Sequence, residues 1–400
     1  MPHRKIMRNY EWTILELQIP LNAGTTESPH PEAAPDLETT LDFFYLNPTQ
    51  EANIVGENLS GHIYPDEDFG KKAFLGKVPC EEVVEEFLLH CPLYDNVSKR
   101  WSNILNENIQ YDSALYTPVY DIFNAVVTHF QYHGSRVLFD TPHKYLIPDE
   151  EITCNSETRC WKSSPEIMVL ATASGEMVQP WETDYPHCIA PIEIQTQKNA
   201  NRSLEENIIQ IGIYARQCFI RQNNRKAVYS LLITEKNVQL FMFDRGGVYH
   251  SLEVDIHESA TDFIRLILGV VSPNEDVVGY DSGVFWCGQS QRFIKTIDAD
   301  GELEVYLLDS PTPVFSRGSI QGVSTCCWKG WGEGKEDVLV KDAWRLVTRR
   351  RTPETDFLTA AQGLVGVGQM ISFEEGETIS SLRGMDTEAL PYNLKSKFRD

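Results

Sequence analysis

A lysine that closes an apolar strand, with a glutamate in the first turn of the next helix, can hold a nucleotide phosphate. The ammonium binds the anion and the carboxylate fixes the ammonium in place. Lys341 ends the run Asp337-Val338-Leu339-Val340-Lys341, and Glu354 follows it by 13 residues. Pro353, just before Glu354, suits the first turn of a helix. Upstream, Arg317-Gly318-Ser319-Ile320-Gln321-Gly322 carries two glycines, Gly318 and Gly322, where backbone N–H groups could approach phosphate oxygens. A second group of residues suits a different chemistry. Glu166 begins one apolar strand and Glu193 lies in another, and two such carboxylates can hold a divalent cation for hydrolysis. The position two after Glu193, where a lysine would help activate water, holds the neutral Gln195. Gln210 and Tyr214 stand one helical turn apart on the helix that follows.

The elements that must position these groups can be read from apolar periodicity. Glu81 to His90 and Thr117 to Phe130 repeat apolar residues at helical spacing. Strands are expected at Arg136 to Phe139, Glu166 to Ala171 and Cys188 to Ile194, then a helix from Ser203 to Arg221. Ala227 to Ile233, Val238 to Asp244 and Val248 to Val254 read as strands joined by short turns. A helix over Ser259 to Val270 opens on Ser259-x-x-Asp262, a near capping box. Further on, Arg292 to Leu308 reads as a hairpin around Asp298-Ala299-Asp300-Gly301, and Gly363 to Phe373 as a glycine-punctuated strand pair. Leu21 to Thr40, rich in Pro, Glu, Thr, Ser and Ala, lacks the apolar residues to offset the entropy of ordering. The helix carrying Arg216, Gln217 and Arg221, with Arg225 beyond it, reads as an amphipathic helix whose basic face meets solvent or a phosphate-bearing partner. Arg349-Arg350-Arg351 reads as a local ion-pair cluster, and Trp328 to Trp331 as hairpin packing.

Acidic residues outnumber basic ones 58 to 35, a formal charge of −23. Such a charge opposes phosphate backbones and anionic membranes, so it argues against a nucleic-acid partner. An apolar content of 42% supplies a core, and the length favours at least two domains. The first twelve residues hold basic side chains but no apolar run of signal-peptide length, and no run of ~20 apolar residues follows. An intracellular protein of the cytoplasm or nucleus is therefore expected, with no membrane partner. The nine cysteines form neither a CxxC pair nor a zinc-spaced ladder with histidine, which points to reduced thiols and no metal. Three Asn-x-Ser sequons, at Asn58, Asn96 and Asn201, carry no weight without a secretion signal.

The order of strand lysine, helix glutamate and following strand is similar to the small lobe of a protein kinase. Several stretches make the likeness more specific: Gly76-Lys77-Val78-Pro79, Tyr116-Thr117-Pro118-Val119, Tyr214-Ala215-Arg216-Gln217-Cys218-Phe219, Phe243-Asp244-Arg245-Gly246-Gly247 and Val340-Lys341-Asp342-Ala343-Trp344. Together they resemble the fungal-type protein kinase family over roughly Phe74 to Asp400. In that family a large family-specific region precedes a kinase domain. The resemblance implies ATP, with magnesium, as cofactors of a complete kinase, and Gly318, Gly322, Lys341 and Glu354 as the ATP-binding residues. The upstream carboxylates resemble the PD-(D/E)XK nucleases, and Gln210-x-x-x-Tyr214 resembles their RecB-like members. Glu166, Glu193, Gln195, Gln210 and Tyr214 would then form a degenerate nuclease-like site.

The fold expected is α/β (α+β): a PD-(D/E)XK-like mixed sheet domain with N-terminal helices, followed by a kinase-like small lobe lacking the large lobe. The expected divisions are a largely disordered or extended segment over 1–73, the family-specific α/β domain over 74–310 and the small lobe over 311–400. Phosphoryl transfer needs an H-R-D-type loop for the base and a later D-F-G for magnesium. No His-Arg-Asp occurs, and Asp68-Phe69-Gly70 lies far upstream of Lys341. Three functions follow as expectations. The first is a truncated, kinase-derived protein without transfer activity that binds nucleotide or a protein partner. The second is a fragment of an active serine/threonine kinase, and the third a metal-dependent nuclease using Glu166 and Glu193.

Overall fold

The computed structural model describes residues 2–8, 46–104, 109–141, 162, 164–171, 185–201, 203–287, 291–297, 302–310, 312–322, 324–332, 337–344 and 352–384. By packing, the chain forms two units. One comprises Met1–Leu46, Gly283–Arg317 and Val323–Asp400, and the other Asn47–Ser282 with Gly318–Gly322. Strand β1 (Pro2–Arg8) belongs to the former.

The unit built on Asn47–Ser282 opens with α1 (Pro48–Leu59). Asn47 caps it reciprocally: its side chain accepts from the Gln50 N–H, and the Gln50 side chain accepts from the Asn47 N–H. There follow β2 (Ile63–Asp66), α2 (Phe69–Lys72), α3 (Glu81–His90), the short pair β3 (Tyr94–Asp95) and β4 (Arg100–Trp101), and α4 (Ser113–His129). The sheet strands come next: β5 (Arg136–Asp140), β6 (Ile167–Ala171) and β7 (Cys188–Ile194). After α5 (Gln197–Ala200) and α6 (Leu204–Arg221) come β8 (Ala227–Ile233), β9 (Asn237–Asp244), β10 (Gly247–Ser251), β11 (Val254–Asp255) and α7 (Ala260–Val270). The sheet order is β2-β10-β9-β8-β7-β6-β5, with β11 on β9. β7 and β8 run parallel, as the α6 crossover requires, and the β5–β6–β7 pairings are antiparallel.

Every residue of β7 and β8 is buried, so apart from Glu193 and Ser230 these strands read as apolar runs and not as alternations. One core joins Val55 and Leu59 of α1, Ile211, Tyr214 and Phe219 of α6, and Val228, Phe241 and Phe243 of the sheet. Gly212 allows this close packing, because a Cβ there would lie 2.6 Å from a Val55 methyl. At the other end of β10, Gly247 adopts φ +119°, and a Cβ would meet the His62 carbonyl oxygen at 2.2 Å. Gly247→Ala is therefore expected to destabilise this unit by about 2–3 kcal/mol, read as a lower urea midpoint. An unchanged midpoint would show that β2 and β10 can separate without cost.

The other unit continues with β12 (Val284–Cys287), β13 (Gln291–Ile297), β14 (Leu303–Leu308), β15 (Phe315–Ser316), β16 (Thr325–Trp331) and β17 (Asp337–Trp344). It closes with α8 (Glu354–Ala360), β18 (Gln369–Glu375) and α9 (Ile379–Leu382). Its sheet runs β12-β13-β14-β16-β17-β1-β18, with β15 on β16. Val284, Ile294, Tyr306, Trp328, Val338 and Val340 form its main core. Leu358 of α8 packs on Cys327 and Leu339, while Phe357 and Ile371 are exposed by 57% and 37%.

The expected mixed α/β class is what the structure has, and several local readings change. Within the segment read as extended, residues 46–73 hold α1, β2 and α2, because the Asn47 cap, Val55 and Leu59 outweigh the polar composition around them. Ser259 makes no side-chain cap. The strand read over 248–254 is interrupted between β10 and β11, and the expected pair over 363–373 is a turn leading into the single strand β18. Arg216 and Arg225 are buried and not solvated: Arg216 pairs with Glu51, and Arg225 donates to the carbonyls of Cys188, Ile189 and Val278. Asp68-Phe69-Gly70 is the start of a one-turn helix whose Asp68 pairs with Lys72. The stretch 21–40, the 298–301 turn, Arg349–Arg351 and the C-terminal region from 387 lie outside the described residues.

Candidate functional site

β17 carries Lys341 at the end of its apolar run, and α8 begins with Glu354 after Pro353. The Lys341 ammonium donates to both Glu354 oxygens, at 2.8 and 2.9 Å. The lysine side chain is 22% exposed and the glutamate 47%, so solvent screens the pair and it adds little stability. Its effect is positional: the ammonium is held at the surface in one place. Opposite Lys341 on β16 stands Cys327, whose thiol burial pushes up to about 12, against the pull of the lysine. Cys327 is therefore an uncharged packing group beneath the ion pair.

In the other unit β6 and β7 lie side by side, and the carboxylates read from the sequence meet. Glu166, just ahead of β6, accepts from the Ile194 N–H at 2.9 Å. Glu193, fully buried in β7, accepts from the Tyr214 hydroxyl at 2.9 Å and from Gln195 Nε2 at 2.8 Å. Between the two acids stands Lys162, its ammonium bonded to Glu166 and 3.4 Å from Glu193. Gln210 holds the lysine backbone from both sides, accepting from its N–H at 3.0 Å and donating to its carbonyl at 2.9 Å. The two α6 residues one turn apart thus fix two different groups: Gln210 the lysine and Tyr214 the glutamate.

Burial sets the electrostatics here. It pushes Glu166 up to about 8, with help from the Glu193 charge and against Lys162. Burial also raises the Tyr214 phenol well above its usual range, reinforced by Glu193. Desolvation disfavours the Lys162 charge, but the two carboxylates outweigh it and keep the ammonium protonated.

A family model described as fungal protein kinase matches residues 164–389, more than half of the chain. The chain belongs to the fungal protein kinase family. Neither the curated proteins nor the solved structures give a match. The matched span includes Glu166, Glu193, Gln195, Gln210 and Tyr214 and the Lys341–Glu354 pair, while Lys162 lies just ahead of it. Gly318 and Gly322 also fall inside it, but they belong by packing to the unit of Asn47–Ser282. There the Gly322 N–H donates to the Arg245 carbonyl, Arg245 donates to the Ser319 carbonyl, and Ile320 is part of the core. The loop is anchored by its own middle residue.

Lys162 is the group that sequence order hid. It precedes the first carboxylate instead of following the second, and only the Gln210 clamp brings it back between them. Asp112, just ahead of α4, was likewise without a sequence signal, and Tyr116 was marked only as part of the family-like stretch Tyr116-Thr117-Pro118-Val119. Asp112 accepts from the Thr196 N–H and from the Asn199 amide, which steadies the turn after β7. Tyr116 is pushed well up by burial and by Glu166.

Proposed function

We infer that this fungal protein kinase family member binds the phosphates of a nucleoside triphosphate at Lys341 and does not by itself transfer a phosphoryl group. The observation that carries the reading is the two-oxygen contact of Glu354 with Lys341, which holds a partly exposed ammonium just past the apolar run of β17. ATP fits this site through its phosphates, whose charge the lysine would meet. No seat is assigned to magnesium beside it, since among the described residues no group of three His, Cys, Asp or Glu side chains converges. Transfer also needs a group that accepts the hydroxyl proton. The sequence has no His-Arg-Asp to provide it, and its Asp-Phe-Gly is at 68–70 in the other unit. A catalytic loop supplied by further residues or another chain would convert this reading into that of an active serine/threonine kinase. The test is titration with a fluorescent ATP analogue. Lys341→Met should weaken binding by about tenfold, a loss of ~1.4 kcal/mol typical of one charged hydrogen bond. Equal affinity in the variant would refute the assignment.

A second reading attaches to the acidic pair. A degenerate nuclease lacks the lysine after Glu193, yet Lys162 brings an ammonium to the same two carboxylates from another part of the chain. The succession α4, antiparallel β5–β6–β7, crossover α6 and parallel β8, with Glu166 just ahead of β6 and Glu193 in β7, supports a PD-(D/E)XK-like reading. Against it stand the charge of −23 and the complete pairing of both acids inside the protein. Incubation with single-stranded and duplex DNA, with added magnesium or manganese, decides it. The expected result is no cleavage, and cleavage abolished in Glu193→Ala would establish the nuclease.

A further inference from the structure

The face of the sheet that α6 covers is apolar over most of its width and turns polar at one end. Leu232 of β8, Phe241 and Phe243 of β9 and Val248 of β10 belong to the core beneath α6. At the strand period of two, the same face continues with Gln239 on β9 and His250 on β10. Both are buried, at 7% and 2% exposure, and buried polar groups of this kind need partners. They line a cavity of about 310 Å³ between the start of α6 and the turn from β8 to β9, a volume that suits a small ligand.

The hydrogen bonds in the wall decide what the cavity offers. The His250 ring stacks on Phe241, its neighbour on β9, with centroids 5.8 Å apart. Its Nδ1 lies 3.0 Å from the Ser251 carbonyl, which can only accept, so Nδ1 carries the proton. Burial lowers the pKa of the ring and keeps it neutral. Nε2 therefore holds a lone pair, and among the described residues nothing donates to it. Gln239 Nε2, 3.2 Å from the same Nδ1, donates to the same carbonyl at 2.7 Å. Its Oε1 is then a second acceptor without a donor among the described residues. Glu253 also lines the cavity, is exposed, and is steadied by Asn237, whose amide donates to Oε2 at 2.5 Å.

These groups select the charge and shape of an occupant. An anion would find no lysine or arginine among the described lining residues, and an apolar molecule would strand both buried acceptors. A metal ion is not favoured either, since among the described residues no three His, Cys, Asp or Glu converge. The start of α6 would by itself attract an anion, but Ser203 caps it and Glu205 and Glu206 stand in its first turn. Leu204 and Leu252, exposed by 44% and 49%, add apolar surface to the lining. Asn207 donates to the Ala200 carbonyl at 2.8 Å and so fixes the helical wall before anything binds. A guanidinium on a short aliphatic stem matches this set better than an ammonium. It is planar, carries five N–H donors and gives up its water more readily.

We propose that this cavity binds an alkylguanidinium group, carried by a small molecule or by an arginine side chain. Its N–H groups donate to His250 Nε2 and Gln239 Oε1, its charge is met by Glu253, and its stem lies along Leu204 and Leu252. The site is separate from Lys341 and from the buried acids, and does not rest on the nucleotide reading.

The experiment titrates the full chain calorimetrically with n-butylguanidinium, beside n-butylurea, which keeps the size and loses the charge. Butylguanidinium should bind at about millimolar concentration, ordinary for so small a ligand, and butylurea about fivefold or more weakly. Glu253→Gln should weaken butylguanidinium about threefold to fivefold, a loss that shrinks in high salt. Leu204→Trp, at an exposed position, should fill the cavity and abolish binding while the urea midpoint stays that of the unaltered chain. Should the midpoint fall, Leu252→Trp, exposed on the other wall, serves in its place. No binding by the unaltered chain, equal affinity for butylurea, or full affinity in the folded tryptophan variant overturns the proposal. Free arginine and N-acetylarginine N-methylamide then distinguish the source. Binding of the capped form assigns a peptide side chain, and binding of free arginine alone assigns a small molecule. Binding of butylguanidinium but of neither arginine overturns the site as well, because it would then be an adventitious additive only.

Discussion

Arg216→Met is expected to destabilise the unit of Asn47–Ser282 by about 3–5 kcal/mol at pH 7, the cost of stranding one member of a buried ion pair. Arg216 on α6 is 1% exposed and bonds the Glu51 carboxylate of α1 at 2.5 Å, and that carboxylate is itself buried. Gln217 donates to the other Glu51 oxygen at 2.9 Å, but an amide carries no charge to balance. Burial already raises Glu51 above the usual carboxylate range despite the arginine. Without the arginine it rises further, and the folded protein must take up a proton. A carboxyl whose folded pKa is raised contributes stability at low pH that is lost as pH climbs through the folded value. The penalty should therefore be larger at pH 8 than at pH 5. Urea unfolding at both values measures it, and Arg216→Met with Glu51→Leu should recover most of the loss, because two apolar groups leave no charge stranded. A single variant within about 1 kcal/mol of the parent at pH 8 would mean that water reaches Glu51.

Periodicity made the sheet strands and the helices α3, α6 and α7 legible, because their apolar spacing reports the environment they are packed in. The parallel step from β7 to β8 was implicit in a strand, a long helix and a second strand of equal apolarity. Charge gave no such guide to α6. Arg216 sits on the helix where a solvated face was expected, and a glutamate 165 residues earlier, on a helix with no strong apolar pattern, explains its burial. The same limit applied to the two sites. Lys341 and Glu354 are close in sequence, so spacing predicted their contact. Lys162 and Glu193 are brought together by a turn of chain and a helix clamp that leave no periodic trace. β1 is the extreme case. A strand whose partners lie more than 300 residues away cannot be told from an extended tail.

Lys162→Met should carry a cost that depends on pH in a defined sense. In the folded protein burial and the Glu193 charge raise Glu166 to about 8, while the unfolded chain titrates it near the ordinary 4.5. The folded state thus holds a proton over this interval that the unfolded state has released. Its contribution to stability is complete below the unfolded value and declines as pH rises toward 8. Lys162 limits the decline, because its ammonium favours the ionised acid. Removing it moves the Glu166 titration still higher and leaves Glu193 with neutral partners only, Tyr214 and Gln195. At pH 5 Glu166 is protonated in either protein, so the variant should lose little through it. At pH 8.5 the variant should lose about 2 kcal/mol more than at pH 5, a figure reduced for the partial exposure of the lysine. Parallel stability profiles for parent and variant over that range would place the ammonium in water, away from both acids. A variant that loses stability equally at every pH would assign Lys162 to packing, through the backbone that Gln210 holds.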